Sequence, residues 1–202
     1  MPWIQWTQRL QAIAQNGLTY ATDKFDIERY QQLQDIASEI IATYTNHEFH
    51  EVRNFLTGET GYATPKADMR GVVFQENKIL LVKETSDNLW TLPGGWADVL
   101  GSPSENVERE VFEESGYLVK ARRLLAVYDR SRHGHYPETP LYVYKFFFLC
   151  EIVGGEPKTS METSEIGFFD VDALPELSVA RVTEKQIRRM FELKALNQTD
   201  FD

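Results

Sequence analysis

The chain is 202 residues long, 42% hydrophobic and 26% charged, which is ordinary folded-protein composition, forces no disorder and allows one good core with room for a smaller subdomain. A formal net charge of −10 and a pI near 4.9 exclude a protein that wraps nucleic acid through a broadly basic surface. The single cysteine, Cys150, excludes an intrachain disulfide and, following Phe146-Phe147-Phe148-Leu149, reads as core. The apolar runs fall far short of membrane-spanning length, and the first residues, with Trp3, Gln5, Gln8 and Arg9, lack the shape of a secretion signal, so a cytoplasmic protein without membrane contact is expected.

The first third of the chain is helical in pattern. Trp3, Trp6, Leu10 and Ile13 recur at helical spacing, and Ile27, Tyr30, Leu33, Ile36, Ile40 and Tyr44 share one face of a helix starting after Asp26. A short segment from about His47 to Leu56 groups Phe49, Val52 and Phe55 before Gly58, Gly61 and Pro65 break the period. Residues 1–64 therefore read as an N-terminal helical subdomain. About sixty residues of helix bury little surface alone, so this unit should dock on the rest or on a second chain. Trp3 and Trp6 are its anchors and a homodimer is the expected assembly. His47 and His50 stand three apart with no third ligand in view and read as structural.

Residues 65–202 change to strands. Arg70 to Phe74 and Lys78 to Lys83 flank the Glu76-Asn77 turn; Leu118 to Tyr128, Leu141 to Ile152 and Ile166 to Phe169 supply further strands. Leu89 to Pro93 reads as a short strand, after which Gly94-Gly95 allows a tight bend whose bare backbone can approach a ligand. Ser102-Pro103-Ser104-Glu105 is a capping box and Gly116 a left-handed stop, which delimit a helix of ordinary length. Thr183 can cap a closing helix that buries Ile187 and Met190. Strands around one central and one terminal helix make an α+β sandwich.

The chemistry concentrates at the end of the central helix. Glu110 and Glu114 stand one above the other, Glu113 lies beside them, and Val107 and Val111 form the neighbouring apolar stripe. Like charges at this spacing cost a few tenths of a kcal/mol each, and Glu113 and Glu114 also meet the negative end of the helix dipole. The cluster is either a solvated acidic face or a platform for Mg²⁺ or Mn²⁺, hard ions that take one or two carboxylates and complete their shell with water and phosphate oxygens. The adjoining glycine bend favours the platform, because a backbone carbonyl there can join the carboxylates.

Gly95, Arg109, Glu110, Val111, Glu113, Glu114 and Gly116 fall on seven positions of a pattern that resembles the Nudix box. The resemblance implies a Nudix-type α/β/α sandwich over about residues 66–196 and Mg²⁺- or Mn²⁺-dependent hydrolysis of a diphosphate linkage. It makes Glu110 and Glu114 principal metal ligands, Glu113 a ligand or outlying base, Arg109 the group that orients the carboxylates, and the Gly94 carbonyl a further ligand. A carboxylate on a late loop often completes such a site as general base or ligand, and Glu162 and Glu165 are so placed. A subgroup with a similar helical extension acts on nucleoside diphosphates linked to another moiety, so CDP-choline and ADP-ribose are the expected substrate types. Two positions depart from the pattern. Tyr117 replaces a plain hydrophobic residue, and Gly101 stands where the first glutamate of the box belongs. Glu105, one turn before Arg109, is the expected replacement partner, and a weakened catalyst is expected more than a dead one.

Arg130, Arg132, His133 and His135 lie in a loop between two long strands and, with Arg70 on the first strand, are candidates for holding substrate phosphate or a terminal group. Two rival readings remain open at this stage: a non-catalytic nucleotide sensor whose decay Gly101 marks, and an RNA-trimming or cap-cleaving hydrolase using the same metals. The acidic balance weighs against the nucleic acid version, leaving a small nucleotide as the expected partner.

Overall fold

The computed structural model describes residues 2–202 and divides into two compact units, one made of the residues up to Pro65 joined by Glu138–Tyr142, the other of Lys66–Pro137 and Val143–Asp202.

The first unit holds helices α1 (Pro2–Tyr20), α2 (Lys24–Tyr44) and α3 (Phe49–Thr57). Helix α2 starts earlier than its apolar pattern suggests, because the Asp23 carboxylate accepts from the Phe25 and Asp26 N–H groups at 2.9 and 3.2 Å; Asp26 becomes a first-turn acid facing the positive end of the helix. The core is small: Ala37, Ile41, Val52 and Leu56, with Trp3 and Leu10 packed against them. Trp3 stacks on Tyr44 at 5.2 Å. Side-chain amides of α1 satisfy carbonyls beyond their own helix: Gln11 Nε2 donates to Leu56 O in the last turn of α3, Gln15 Nε2 to Gly61 O, and Gln8 Nε2 to Thr139 O at 3.0 Å and Leu141 O at 3.3 Å. That last pair binds Glu138–Tyr142 into this unit. Trp6, Ile13 and Tyr20, seven residues apart on α1, are 59, 52 and 70% exposed.

The second unit holds β1 (Lys66–Gln75), β2 (Lys78–Glu84), β3 (Trp90–Thr91), α4 (Pro103–Ser115), β4 (Tyr117–Asp129), β5 (Val143–Gly155), β6 (Thr163–Phe169), α5 (Glu184–Ala195) and β7 (Asp200–Phe201). Among the described residues seven strands form one sheet in the order β3-β2-β1-β5-β4-β7, with β6 paired to β2. Strands β1 and β5 run parallel, which sets Asp68 opposite Lys145 and Arg70 opposite Phe147. Strand β5 starts at Val143, two residues later than its apolar run, because Leu141 and Tyr142 go with the helical unit.

Alternation along the strands sends odd residues of β1 to one face and even residues to the other. Met69 and Val73 join Leu80, Val119 and Cys150 against Val107 and Val111 of α4; Val72 joins Leu81, Leu125 and Phe147 against Ile187, Met190 and Leu193 of α5. The result is a sheet with a helix on each face, the expected α/β/α sandwich. Gly71 sets how closely α4 sits, since a Cβ there would lie 2.3 Å from Val111 Cγ2. Burial pushes the Cys150 thiol up to about 12, which makes it a core residue without reactivity. Among the described residues no helix is long and apolar enough to cross a membrane.

Candidate active site

Helix α4 is fastened at both ends as its caps require: Ser102 Oγ accepts from Glu105 N, and Gly116, at φ 75, donates its N–H to Phe112 O. Its last turn rests on the bend that follows β3. Met69 N donates to Gly95 O and Gly71 N to Pro93 O, both at 2.8 Å, so the bend lies along the start of β1. Gly94 has φ 137, and a Cβ on it would fall 2.0 Å from Met69 O, a position that only glycine can occupy. Its N–H donates to Glu114 Oε2 at 2.9 Å. A Cβ on Gly95 would meet Glu110 Oε2 at 2.9 Å. The glycine pair thus brings bare backbone against the Glu110 and Glu114 carboxylates.

These acids are poorly balanced. Glu114 is 5% exposed; burial raises its carboxyl to about 8, the Arg70 guanidinium and the Gly94 N–H oppose that rise, and the charges of Glu84 and Glu110 add to it. Burial also raises Glu110, although Arg109 beside it pulls the other way. Arg109 is shared among three acids, Asp98 at 2.9 Å and Glu110 and Glu113 at 2.8 Å each. Among the described residues no three carboxylate, histidine or cysteine side chains already converge on a single point, since Arg109 grips Glu110 and Glu113 while Gly94 holds Glu114. The donors are nevertheless all oxygen, with Glu114 buried and Glu110 half-buried beside it, and this set fits a hard divalent ion.

Several expectations need correction. Arg70 does not present its guanidinium to a substrate. Its Nε and Nη2 donate to the two Asp68 oxygens at 2.7 and 2.9 Å and its Nη1 donates to Leu92 O at 3.1 Å, and Lys145 Nζ pairs with the same carboxylate at 2.9 Å. Strand alternation and the parallel register place all three on one face, where Arg70 acts as a buried counter-ion felt by Glu114 and Glu84. Burial alone would raise Asp68, yet Arg70 and Lys145 bring it down to about 2.

Glu105 does not partner Arg109: its Oε2 accepts from Ser102 N at 2.8 Å and from Ser102 Oγ at 2.6 Å, so the cap has taken the carboxylate and Asp98 stands in its place. Glu165 pairs with Lys83 Nζ at 2.7 Å across β2 and β6. Glu162 is nearer the acids: its charge acts on Glu84, and the neighbouring Thr163 Oγ1 donates to Glu114 O at 2.7 Å.

The loop after β4 also separates its candidates. His133 stacks on Tyr128 at 4.1 Å and meets Asp202 at 3.0 Å, which ties it to the residue that follows β7. Arg132 lies 3.5 Å from Asp129 with its side chain largely exposed. Arg130 Nη2 donates to Pro137 O and Ala180 O. His135 is buried with Nδ1 2.9 Å from Val179 O and, among the described residues, no hydrogen-bond partner at Nε2; burial, then Lys145, lowers it to about 3, so it is a neutral imidazole beside the Asp68 group.

Sequence reasoning missed Glu84. It ends β2 at a register shift that turns its side chain inward, where Arg181 Nε pairs with it at 3.2 Å and Arg181 Nη1 reaches Asp87 at 2.7 Å. An acid two residues beyond the apolar run Ile79–Val82, on the same strand face as Val82 by simple alternation, was the available signal.

Between bend and helix, Leu100 holds φ 69 with its side chain fully in solvent. A left-handed conformation costs a β-carbon residue about 1–2 kcal/mol, partly offset by the greater unfolded-state freedom of glycine. Leu100→Gly is expected to raise stability by about 0.5–1 kcal/mol in thermal melts.

Comparison with known proteins agrees with this geometry. Residues 64–191 match the family described as the NUDIX domain, and residues 1–56 match one described as a UDP-X-like, N-terminal oligomerisation domain. A putative ADP-ribose pyrophosphatase of Bacillus subtilis (strain 168) is 45% identical over 190 residues, spanning 94% of this chain and 91% of that protein. Among solved structures, a UDP-X diphosphatase aligns over 100% of this chain and 98% of its own with 34% identity and a TM-score of 0.65. An ADP-ribose pyrophosphatase from Streptococcus suis 89-1591 aligns over 69% of this chain and 100% of its own with 43% identity and a TM-score of 0.63.

Proposed function

The chain belongs to the Nudix family and is a pyrophosphohydrolase of it, and from that premise we propose that it cleaves nucleoside diphosphates linked to a second moiety, with ADP-ribose the foremost substrate, in the presence of Mg²⁺ or Mn²⁺. The observation that carries the reading is the placement of Glu110 and buried Glu114 against the Gly94-Gly95 backbone. The extent of identity with the putative ADP-ribose pyrophosphatase supports the choice of substrate. CDP-choline and UDP-linked compounds belong in the same test.

Nudix hydrolases generally use divalent cations, and Glu110, Glu114 and, at the rim, Glu113 are the residues to hold one here. Such an ion polarises phosphate oxygens and lowers the pKa of bound water. The protein's own groups do the rest. Arg109 fixes the Glu110 and Glu113 carboxylates, and Arg70 offsets charge beneath Glu114. Glu162 accepts the proton of the attacking water as its oxygen bonds to one phosphorus and the bridging P–O bond breaks, giving a nucleoside monophosphate and a phosphorylated second product. Glu162→Gln is expected to lower kcat by about 10²–10⁴-fold with Mn²⁺ affinity retained, whereas Glu165→Gln, which only frees Lys83, should stay within about twofold of the parent. The opposite order would move the base to Glu165. The overall reading is tested by incubating ADP-ribose, a UDP-sugar and CDP-choline with the protein and Mg²⁺; inertness toward all three refutes it.

The helical unit supports assembly with a second copy, because Trp6, Ile13 and Tyr20 line one exposed stripe of α1 at the spacing of a helix–helix seam, and residues 1–56 match an oligomerisation domain. Replacing Trp6 and Ile13 together by Ser is expected to shift sedimentation of the full chain to a monomer. An unchanged oligomer would place the interface elsewhere.

A further inference from the structure

The chain lacks a glutamate at position 101, and the segment that carries Gly101 is held in an unusual way. Asn106, in the first half of α4, is 2% exposed. Its Oδ1 accepts from Asp98 N at 2.8 Å, and its Nδ2 donates to Asp98 O at 3.1 Å, Gly101 O at 3.0 Å and Ser102 O at 3.2 Å. One buried amide therefore gathers three carbonyls and one N–H from a turn of five residues. A Cβ on residue 101 would lie 2.9 Å from Asn106 Nδ2, so glycine there lets the turn close on the amide. The same closure carries Asp98 to Arg109: Asp98 Oδ2 lies 2.9 Å from Arg109 Nη2, which also approaches Asn106 Oδ1 at 3.4 Å.

Arg109 has limited capacity and three claimants. Its Nη2 serves both Asp98 and Glu110 Oε1, while Nη1 serves Glu113. Whatever share of the guanidinium Asp98 takes is charge and hydrogen bonding withdrawn from Glu110. We propose that Asp98, held by Asn106, is the positioning residue that substitutes for the absent glutamate: by sharing Arg109 Nη2 with Glu110 Oε1 it limits the arginine's hold on that carboxylate, so that a divalent ion can compete for it. Without Asp98 the arginine closes on Glu110 and competes with the cation for it. The Asp98 side chain is 72% exposed, so its removal does not threaten the fold. This inference rests on the proposed metal-dependent hydrolase reading.

The test is a double-variant cycle on the full chain with Asp98→Asn, Arg109→Gln and both, reading Mn²⁺ affinity by electron paramagnetic resonance of the free ion, together with kcat and KM for ADP-ribose. Asp98→Asn is expected to weaken Mn²⁺ binding by about 10–100-fold and to lower kcat with KM within about twofold and an unchanged melting temperature. In the Arg109→Gln background the same change should add nothing, because Asp98 acts through Arg109. Parental Mn²⁺ affinity in Asp98→Asn, or losses that add in the double variant, overturns the assignment while leaving the hydrolase reading intact. A parent that neither takes up Mn²⁺ nor turns over substrate overturns both.

Discussion

Asp68→Asn is expected to lower the free energy of unfolding by about 3–5 kcal/mol in urea titrations, the cost of leaving buried cations without their partner. Arg70 and Lys145 are 5 and 1% exposed and converge on that one carboxylate. The amide keeps the shape and can still accept one hydrogen bond, so the loss isolates charge from packing. The same pairing predicts an acid limit. With its carboxyl brought below the ordinary 3.8 to about 2, Asp68 contributes stability that is complete above roughly pH 4 and disappears as pH falls toward 2. Asp68→Asn should flatten that part of the stability profile. A variant within 1 kcal/mol of the parent would show that the cations find other partners.

Glu114→Gln is expected to separate activity from stability. Turnover should fall by more than the ~100-fold that loss of a supporting partner costs, because the proposed principal metal ligand becomes neutral while its shape is kept. The metal-free protein should meanwhile become more stable at neutral pH. Burial raises the Glu114 carboxyl from 4.5 to about 8, so its contribution to stability is present in full below about pH 4.5 and is lost as pH rises through about 8. Gln removes that dependence and can still accept from Gly94 N–H. Melting curves without metal from pH 5 to 9 check it: the parent should lose stability across this range faster than Glu114→Gln. Parallel curves, or retained turnover, would contradict the placement of Glu114.

What the sequence made legible was local. The ends of α4 follow from Ser102, Glu105 and Gly116, and the stacking of Glu110 over Glu114 follows from helical period alone. The Glu105 expectation failed because two local rules laid claim to one side chain: the i,i+4 reach to Arg109 lost to the reach back to Ser102 N, which satisfies a helix-end donor. Arg70 was misread for a different reason. Its partners depend on the parallel pairing of β1 with β5, a relation between distant parts of the chain, and nothing near Arg70 in sequence identifies Lys145. The different surroundings of Glu162 and Glu165 likewise depend on the cross-strand register that hands Glu165 to Lys83. Glu84 combines both difficulties, since a register shift and a remote arginine define its environment.

The binding of Glu138–Tyr142 into the helical unit bears on how this protein can be dissected. The stretch from Asp129 to Val143 carries Arg130 and His135, and its far end is pinned where Gln8 of α1 meets Thr139 and Leu141. Trimming the chain to its catalytic half would cut those tethers and leave five residues of that stretch without their support. A truncated catalytic half is therefore not a faithful miniature of the enzyme, and kinetic constants measured on such a fragment would describe a protein whose loop after β4 has been loosened.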